Sequence, residues 1–303
     1  MTQSPALASS YVATFIAASG QLAAEALTPA RAALPAPGRP IWLGRGTAAD
    51  IPFSADQSLD QRALTENLRT LLPAVDVVVQ PSANRRKKLF LADMDSTMIG
   101  QECIDELAAF AGLKGHVAAI TERAMRGEIA FEPALRERVE LLAGLPVTVV
   151  DEVIEKHITL TPGGRTLVQT MRANGGYTCL VSGGFTLFTD RIAAMVGFDE
   201  TRANRLLLDG FKLAGNVDEP IFGRESKRAT LIELRERLGL SHNDTLVTGD
   251  GANDLDMIID AGLGVAYYAK PKVAAAAPAR IEHGDLTALL YVQGYTREEF
   301  VQD

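Results

Sequence analysis

Two aspartates separated by one residue are the first pair in this sequence that could carry out chemistry. Asp93 and Asp95 stand in the run Asp-Met-Asp-Ser-Thr at 93–97, directly after the apolar stretch 89–92. If that stretch is a strand, both carboxylates leave its carboxyl end, where open α/β sheets bind ligands. One carboxylate could then attack a substrate while the other transfers protons. Alone, the pair is equally compatible with one aspartate that ends a strand and another that caps a helix.

Three further patterns suit the binding of phosphate and of a cation. Ser-Gly-Gly at 182–184 follows an apolar stretch, and a hydroxyl with glycine amides can bind phosphate oxygens. Lys227 begins a predicted helix, where an ammonium group can neutralise a phosphoryl group. In Gly-Asp-Gly-Ala-Asn-Asp at 249–254, Asp250 and Asp254 suit a cation with oxygen ligands. Each pattern alone has an ordinary alternative, such as a glycine turn or a solvated lysine. Their joint occurrence predicts one site for phosphoryl chemistry.

Short apolar strands and helices alternate from residue 88 onward, and these elements would position the candidate residues. The clearest predicted strands are 89–92, 177–181, 245–248 and 264–267. This alternation predicts an α/β fold with a Rossmann-like parallel sheet and helices on both faces. A helical insertion at about 101–160 separates the first two strands, with helices predicted at 104–113, 116–128, 133–142 and 149–156.

Two boundary signals stand out in the same region. Thr161 is predicted to cap the next helix, with Pro162 in its first turn. Asp209-Gly210 lies between two apolar runs, 205–208 and 211–213, and predicts a hairpin.

The first 83 residues have a pattern of their own and contain no chemical motif. Strands are predicted at 11–17, 40–43 and 75–79, and helices at 27–34 and 59–72. This pattern indicates a small α+β domain, so we predict two domains, 1–83 and 84–303. The basic run at 85–88 is expected to be a solvated end of the linker between them.

The composition excludes several classes of protein. The chain has 303 residues, 47% of them apolar and 22% charged, with a net charge of -8, which favours a globular protein over a nucleic-acid binder. It has no apolar run of about 18 residues and no basic leader, so we expect neither a membrane span nor a secretory signal. Cys103 and Cys179 are too isolated for a disulfide framework or a zinc site. These features predict a cytoplasmic location.

In their order and composition, the four motifs resemble those of the haloacid dehalogenase-like (HAD) superfamily of phosphotransferases, over about residues 88–288. Within it, the runs at 93–97, 181–185 and 249–254, together with Glu102, are most similar to those of the phosphoserine phosphatases. The resemblance implies a HAD core with a helical cap at about 101–160. It also implies hydrolysis of O-phospho-L-serine to L-serine and phosphate through an aspartyl phosphate, the last step of serine biosynthesis. In some relatives an ACT-like regulatory domain comes first, so we expect an ACT-like, short or degenerate first domain.

The resemblance further implies a role for each matched residue. Asp93 would be the nucleophile, and Asp95 would be the general acid and base. The phosphoryl group would be bound by a hydroxyl, an amide and an ammonium group, which belong to Ser182, Gly183 and Lys227.

A magnesium ion is the cofactor that the resemblance implies. Its ligands would be oxygen atoms, those of the Asp93 and Asp250 carboxylates and of the Asp95 backbone carbonyl. Asp254 would support the metal or orient Lys227.

A phosphoserine molecule presents an ammonium and a carboxylate besides its phosphate, so its pocket needs one negative and one positive group. Glu102 could accept the ammonium, and Arg138 could bind the carboxylate through a bidentate pair. The resemblance assigns these two positions to the substrate and adds four further contacts: Met125 and Phe131 as an apolar lid, Gly183 and Asn253. Without the resemblance, structural roles are the better explanation for all four cap residues: a helix-terminal acid for Glu102, a solvated arginine for Arg138, and core side chains for Met125 and Phe131.

Two alternatives stay open beside phosphoserine hydrolysis. The same chemistry could act on another small phosphomonoester or transfer phosphate to an acceptor alcohol. A vestigial phosphatase fold could instead serve an amino-acid-binding protein, although the intact set of Asp93, Asp95, Lys227 and Asp250 argues against this. We expect a small-molecule substrate, with no nucleic-acid or membrane partner, and leave a homodimer open.

Overall fold

This computed structural model describes residues 9–18, 20–56, 58–125 and 128–302, apart from the side chains of 124 and 125. An antiparallel sheet forms its N-terminal part. Its elements follow the order βαββαβ: β1 (Ser9–Ile16), α1 (Leu27–Ala32), β2 (Ile41–Gly44), β3 (Ala48–Ala55), α2 (Gln61–Leu71) and β4 (Asp76–Pro81). The strands lie in the order β2-β3-β1-β4, and this succession is ferredoxin-like. The structure confirms a small α+β unit; the ACT-like assignment and the boundary at residue 83 stay predictions.

Strand β3 is an interior strand that was not predicted from the sequence. A proline inside an apolar run argues against an interior strand, and Pro52 lies in the middle of β3, opposite Val12 of β1. The strand is nevertheless stable there because alternate residues, Ile51 and Phe53 among them, are buried in the core of this unit.

The basic run at 85–88 was predicted to be a solvated linker end, which is wrong for Arg85 and Lys87, whereas Arg86 and Lys88 are exposed. Arg85 is partly buried, and its guanidinium lies 2.6 Å from Asp50 of β3 and donates to the carbonyl of Val292. Lys87 is buried and donates to the carbonyl of Asn243 at 2.8 Å. Local sequence could not reveal these partners because they lie far away along the chain.

A parallel sheet of six strands forms the centre of the larger part. In spatial order these are β12 (Ala279–Ile281), β11 (Leu263–Tyr267), β10 (Thr245–Gly249), β5 (Leu89–Asp93), β6 (Tyr177–Phe185) and β7 (Glu200–Asn204). Every neighbouring pair is parallel, which confirms the predicted α/β fold. Strand β5 is buried throughout because apolar clusters cover both faces of the sheet. The edge strands β7 and β12 were not predicted, because their short runs lack this continuous apolar character.

Helices cover the sheet and form the insertion after β5. The insertion contains α3 (Cys103–Phe110), α4 (Lys114–Met125), α5 (Phe131–Glu140) and α6 (Val149–His157). The remaining helices are α7 (Gly164–Ala173), α8 (Thr186–Val196), α9 (Arg224–Arg237), α10 (Leu255–Ile259), α11 (Pro271–Ala276) and α12 (Ala288–Val292). Among the described residues, none of these helices combines the length and the apolar character that a membrane span requires.

Helix α7 begins two residues later than predicted. Gly163, with a φ of 78°, is its N-cap, whereas Thr161 and Pro162 lie in the preceding turn. A Cβ at Gly163 would lie 2.7 Å from the backbone nitrogen of Thr287, so the C-terminal segment approaches the chain too closely for another residue. This contact, rather than the local capping signal, sets the start of the helix.

The predicted hairpin forms between β8 (Leu206–Asp209) and β9 (Lys212–Val217). It pairs by backbone with the turn after α5, since Gly144 donates to the carbonyl of Leu213 and Val147 to that of Phe211. The hairpin therefore supports one end of the helical insertion.

Candidate active site

Three carboxylates converge beyond the carboxyl ends of β5 and β10. One oxygen from each of Asp93, Asp250 and Asp254 lies within 4.8 Å of the others. Strand β5 adjoins β10 on one side and β6 on the other, and the order of the chain along the sheet reverses there. Such a switch point is where open α/β sheets place their ligands. We call these three residues the acidic centre.

Lys227 joins two members of the acidic centre. Its Nζ lies 2.6 Å from Asp93 Oδ1 and 2.7 Å from Asp254 Oδ1, and its side chain is fully buried. Helix α9 supplies the lysine from its first turns, as the sequence predicted. Burial alone would lower the pKa of Lys227, but the charges of Asp254 and Asp93 outweigh this effect and raise it. The ammonium group therefore keeps its proton at neutral pH.

One ammonium group does not balance the negative charge of the acidic centre. Burial, and then the charge of Asp254, raise the pKa of Asp93 well above its ordinary value. The same two causes raise the pKa of Asp250 to about 6. Carboxylates that are crowded and desolvated in this way are stabilised by a cation, and oxygen ligands suit a hard divalent ion. The donor set therefore fits a metal ion.

Asp95 projects from an irregular turn over Met94–Met98, in which Ser96 has a left-handed backbone with φ of 56°. Its Oδ1 accepts the N–H of Cys103 at 3.3 Å. Desolvation and the charge of Glu102 raise the pKa of Asp95 to about 7. A carboxyl group with this pKa can both donate and accept a proton near neutral pH.

Ser182 and Gly183 lie at the end of β6, one strand away from Asp93. The hydroxyl of Ser182 accepts the N–H of Gly184 at 2.9 Å, so its own proton remains available for a ligand. A Cβ at Gly184 would lie 3.1 Å from Asp95 Oδ2, which shows how closely this loop approaches the acid. The loop at 182–184, which was predicted to bind phosphate, therefore lies close to Asp95.

A cavity of about 530 Å³ opens above these groups, between the sheet and the helical insertion. Nine of the residues proposed from sequence line it: Asp93, Asp95, Glu102, Phe131, Arg138, Ser182, Gly183, Asp250 and Asn253. Lys227 and Asp254 lie buried behind its wall. The side chain of Met125, the remaining residue proposed, lies outside the described residues. Lys270 also lines the cavity, 4.0 Å from Asp250, and no motif in the sequence had indicated it.

Opposite charges face the cavity from the helical insertion. Glu102 accepts the hydroxyl of Ser96 at 2.7 Å. Arg138 donates to the carbonyl of Ala134 and, at 3.5 Å, to Thr121, and desolvation lowers its pKa. Within the described residues, no carboxylate forms an ion pair with Arg138. The charges of Asp105 and Glu102 act on Arg138 in the opposite direction, but neither residue forms an ion pair with it. A shielded guanidinium outside any ion pair is suited to bind a carboxylate from a ligand.

Phe131 contacts the loop at 182–184 from the side of the insertion. A Cβ at Gly183 would lie 3.3 Å from its ring, and one at Gly223, the N-cap of α9, would lie 3.5 Å from it. The ring is 40% exposed, so it forms part of the cavity rim rather than the core.

Comparisons with known proteins agree with this geometry. The family model described as haloacid dehalogenase-like hydrolase matches residues 90–258. A phosphoserine phosphatase from Polaromonas sp. is 49% identical over 208 residues, covering 67% of this chain and 88% of that protein. The crystal structure of a HAD family hydrolase from Salmonella enterica has a TM-score of 0.83 at 27% identity, and covers 93% of this chain and 98% of that one. A substrate-bound phosphoserine phosphatase structure has a TM-score of 0.63 at 38% identity, and the match covers 68% of this chain and 98% of that one.

Proposed function

The chain belongs to the haloacid dehalogenase-like hydrolases and, within them, to the phosphoserine phosphatase family, and we propose that it hydrolyses phosphoserine to serine and phosphate. The observation that carries this proposal is the cavity itself. Asp93 and Asp250 of the acidic centre line it together with the loop at 182–184, Glu102 and Arg138, and no carboxylate among the described residues forms an ion pair with Arg138. These groups complement the phosphate, the ammonium and the carboxylate of phosphoserine.

The reaction would proceed in two displacements at phosphorus. A carboxylate oxygen of Asp93 attacks phosphorus, the bond from phosphorus to the serine oxygen breaks, and Asp95 gives its proton to that oxygen. Asp95 then takes a proton from a water molecule, which attacks phosphorus and breaks the bond to Asp93. Phosphate leaves and the Asp93 carboxylate is restored.

Lys227, Ser182 and the Gly183 amide would bind the phosphoryl oxygens during both displacements. The charge of Lys227 is fixed, since its pKa is raised, and it already lies 2.6 Å from Asp93. Groups that are held in place before the reaction lower its barrier, because little reorganisation remains to be done.

Mg²⁺ is the cation that we propose for the acidic centre, because all of its donors are oxygen atoms. Asp93, Asp250 and the backbone carbonyl of Asp95 would bind it, and Asp254 would support it. When bound, such an ion neutralises charge on the transferring phosphoryl group.

Asp250→Asn should weaken Mg²⁺ binding at least about tenfold, since a charged ligand is lost. The free energy of unfolding gained by adding Mg²⁺ measures this directly, without turnover, in a titration followed by thermal melting. Asp256→Asn, which removes a partly exposed carboxylate paired with Arg224, is the matched control and should show the same Mg²⁺-dependent rise in melting temperature as the wild type. An unchanged Mg²⁺ dependence in Asp250→Asn would contradict the proposed ligand set.

Glu102→Ala and Arg138→Ala test the substrate. Each should lower kcat/KM for phosphoserine by about 10²-fold or more, because each removes one partner of a shielded charge pair. Hydrolysis of 4-nitrophenyl phosphate, which has neither an ammonium nor a carboxylate group, should change by less than about threefold in Arg138→Ala. Glu102→Ala also removes a charge that raises the pKa of Asp95, so it should lose some activity on the aryl phosphate but clearly more on phosphoserine. The measurement is phosphate release from both substrates in the presence of Mg²⁺.

Neighbouring residues provide controls for this test. Arg136 lies in the same charged run, exposed, and pairs with Glu132 and Glu219. Arg136→Ala should leave both activities within about twofold of the wild type. Equal losses on the two substrates in Arg138→Ala would favour another small phosphomonoester, which a screen of phosphorylated sugars and nucleotides would identify.

Met125, Phe131 and Asn253 complete the proposed substrate contacts. Phe131 and Asn253 line the cavity, and Phe131 packs against the phosphate-binding loop. A cytoplasmic location agrees with two buried cysteines that form no disulfide. A homodimer stays a proposal that light scattering would test.

A further inference from the structure

The side chain of Asn204 joins the two loops that bring the phosphate-binding groups together. It lies at the end of β7, is 2% exposed and does not line the cavity. Its Nδ2 donates to the carbonyl of Gly183 and to that of Phe222, both at 2.9 Å. Its Oδ1 accepts the N–H of Phe222 at 2.6 Å. One amide group therefore satisfies three backbone groups, one in Gly183 and two in Phe222, and so joins two distant segments of the chain.

At the first end of this bridge, Asn204 fixes the peptide plane between Gly183 and Gly184. A trans peptide is planar, with its carbonyl and its N–H pointing in opposite directions. Since Asn204 holds the carbonyl, the N–H of Gly184 points the other way and donates to Ser182 Oγ at 2.9 Å. That bond occupies an acceptor site of the Ser182 hydroxyl and leaves its proton for a phosphoryl oxygen.

At the second end, Asn204 fixes the residue that precedes helix α9. Phe222 is followed by Gly223, the N-cap, whose carbonyl accepts the N–H of Lys227 at 3.0 Å. A shift of Phe222 would move the first turn of the helix and with it the lysine that contacts Asp93. Two of the three groups expected to bind the phosphoryl oxygens, Ser182 and Lys227, are thus positioned by the same buried amide.

We propose that Asn204 is a positioning residue that sets the spacing of Ser182 and Lys227 for phosphoryl transfer, an inference that rests on the proposed function. An amide is required because two carbonyls need donors while one N–H needs an acceptor. Aspartate has the same shape but no N–H donor, so it would place a carboxylate against two carbonyl oxygens. The expected consequence is displacement of the two loops relative to each other.

Asn204→Asp should lower kcat about 10- to 100-fold, with phosphoserine and 4-nitrophenyl phosphate affected alike, because misplacement of reacting groups by about 1 Å can cost 10²-fold. The inhibition constant of inorganic phosphate should rise by about tenfold. The inhibition constant of L-serine should stay within about twofold, because Glu102 and Arg138 lie on the insertion. Each kcat is calculated per mole of folded protein, with the folded fraction taken from the melting curve of the variant.

Gln293 provides a matched control, since it is also a buried amide that bridges two segments of backbone. It accepts the N–H of Lys87 at 3.0 Å and donates to the carbonyl of Leu289 at 3.0 Å, and it does not line the cavity. Gln293→Glu should lower the melting temperature as Asn204→Asp does, yet leave kcat and phosphate inhibition within about twofold.

The proposal would be overturned if Asn204→Asp lost only stability, with kcat and phosphate inhibition unchanged in the folded protein. Should Asn204→Asp not fold, Asn204→Ser is the second variant, because it retains one donor and one acceptor on a shorter side chain. It should show a smaller decrease in kcat and a smaller rise in the inhibition constant of phosphate. If both values were normal in Asn204→Ser, the proposal would equally be overturned. Wild-type protein that cleaves 4-nitrophenyl phosphate but not phosphoserine would refute the proposed substrate alone, since the aryl phosphate and the phosphate inhibition still test Asn204.

Discussion

Asp93→Asn is expected to lose at least about 10⁴-fold in kcat, with phosphoserine and with 4-nitrophenyl phosphate alike, and to remain folded. An amide has almost the shape of the carboxylate but cannot attack phosphorus. Its carbonyl oxygen still accepts a hydrogen bond from Lys227, now 2.6 Å from Asp93 Oδ1, so the lysine keeps a partner. Phosphate release in the presence of Mg²⁺ measures the loss.

The same substitution should not destabilise the metal-free protein. Burial and the charge of Asp254 raise the pKa of Asp93, which means that its ionised form is disfavoured in the folded state. A neutral amide removes this repulsion, so the melting temperature in EDTA should equal or exceed that of the wild type. If Asp93→Asn is inactive but melts no lower than the wild type, the loss of activity is due to the missing nucleophile and not to unfolding.

Asp95→Asn separates the two aspartates. With 4-nitrophenyl phosphate, whose leaving group needs no proton, this variant should still transfer phosphate to Asp93 but hydrolyse the product slowly, because the general base is missing. A burst of up to one equivalent of nitrophenol per site is expected from Asp95→Asn and none from Asp93→Asn. A burst from Asp93→Asn would show that another group is the nucleophile.

The sequence predicted the parts of the site that depend on local pattern. Strands buried on both faces carry continuous apolar runs, so β5, β6 and β10 were found together with the motifs that follow them. Once these strands are parallel neighbours, Asp93, Ser182 and Asp250 must lie at the same edge of the sheet. The convergence of the acidic centre follows from this topology rather than from any feature of one motif.

Contacts between distant segments could not be predicted in the same way. Asn204 ends an edge strand of mixed composition, and nothing near it in sequence indicates that its amide meets Gly183 and Phe222. Arg85 was taken for a solvated residue because its partner, Asp50, lies 35 positions away. One buried polar side chain gives no periodic signal, and its partners are defined only when the whole chain is folded.

The cap was predicted at the level of its helices but not of its contacts. Helical periodicity located α3 and α5 within a few residues. It could not show that Arg138 lacks an ion pair among the described residues while Arg136, two positions earlier, has two. This difference between two similar arginines is what singles out Arg138 for a substrate carboxylate.

Lys227→Met should lower both stability and activity, by separate mechanisms. The substitution leaves Asp93 and Asp254 buried without their shared cation, and breaking a buried ion pair in this way costs about 3–5 kcal/mol. It also removes the fixed positive charge beside the transferred phosphoryl group, which should lower kcat by about 10³-fold. Chemical denaturation in EDTA and phosphate release with saturating Mg²⁺ measure the two effects.

A second substitution distinguishes these mechanisms. Asp254→Asn removes one of the two carboxylates yet keeps an oxygen that can accept the N–H of Gly251, now bonded at 3.0 Å. Lys227→Met combined with Asp254→Asn should therefore recover a large part of the lost stability, because fewer buried charges remain unpaired. Activity should not recover, since no cation replaces the lysine.

Lys87 offers the control for removal of a buried ammonium group as such. Its Nζ donates to the carbonyl of Asn243, away from the cavity, and desolvation lowers its pKa. Lys87→Met should cost less stability than Lys227→Met, because it leaves no carboxylate stranded, and kcat should stay within about twofold of the wild type. If Lys227→Met were as stable as Lys87→Met, the ammonium group of Lys227 would not be the counter-charge of the acidic centre. If Lys227→Met also turned over phosphoserine at the wild-type rate, the ammonium group would take no part in phosphoryl transfer.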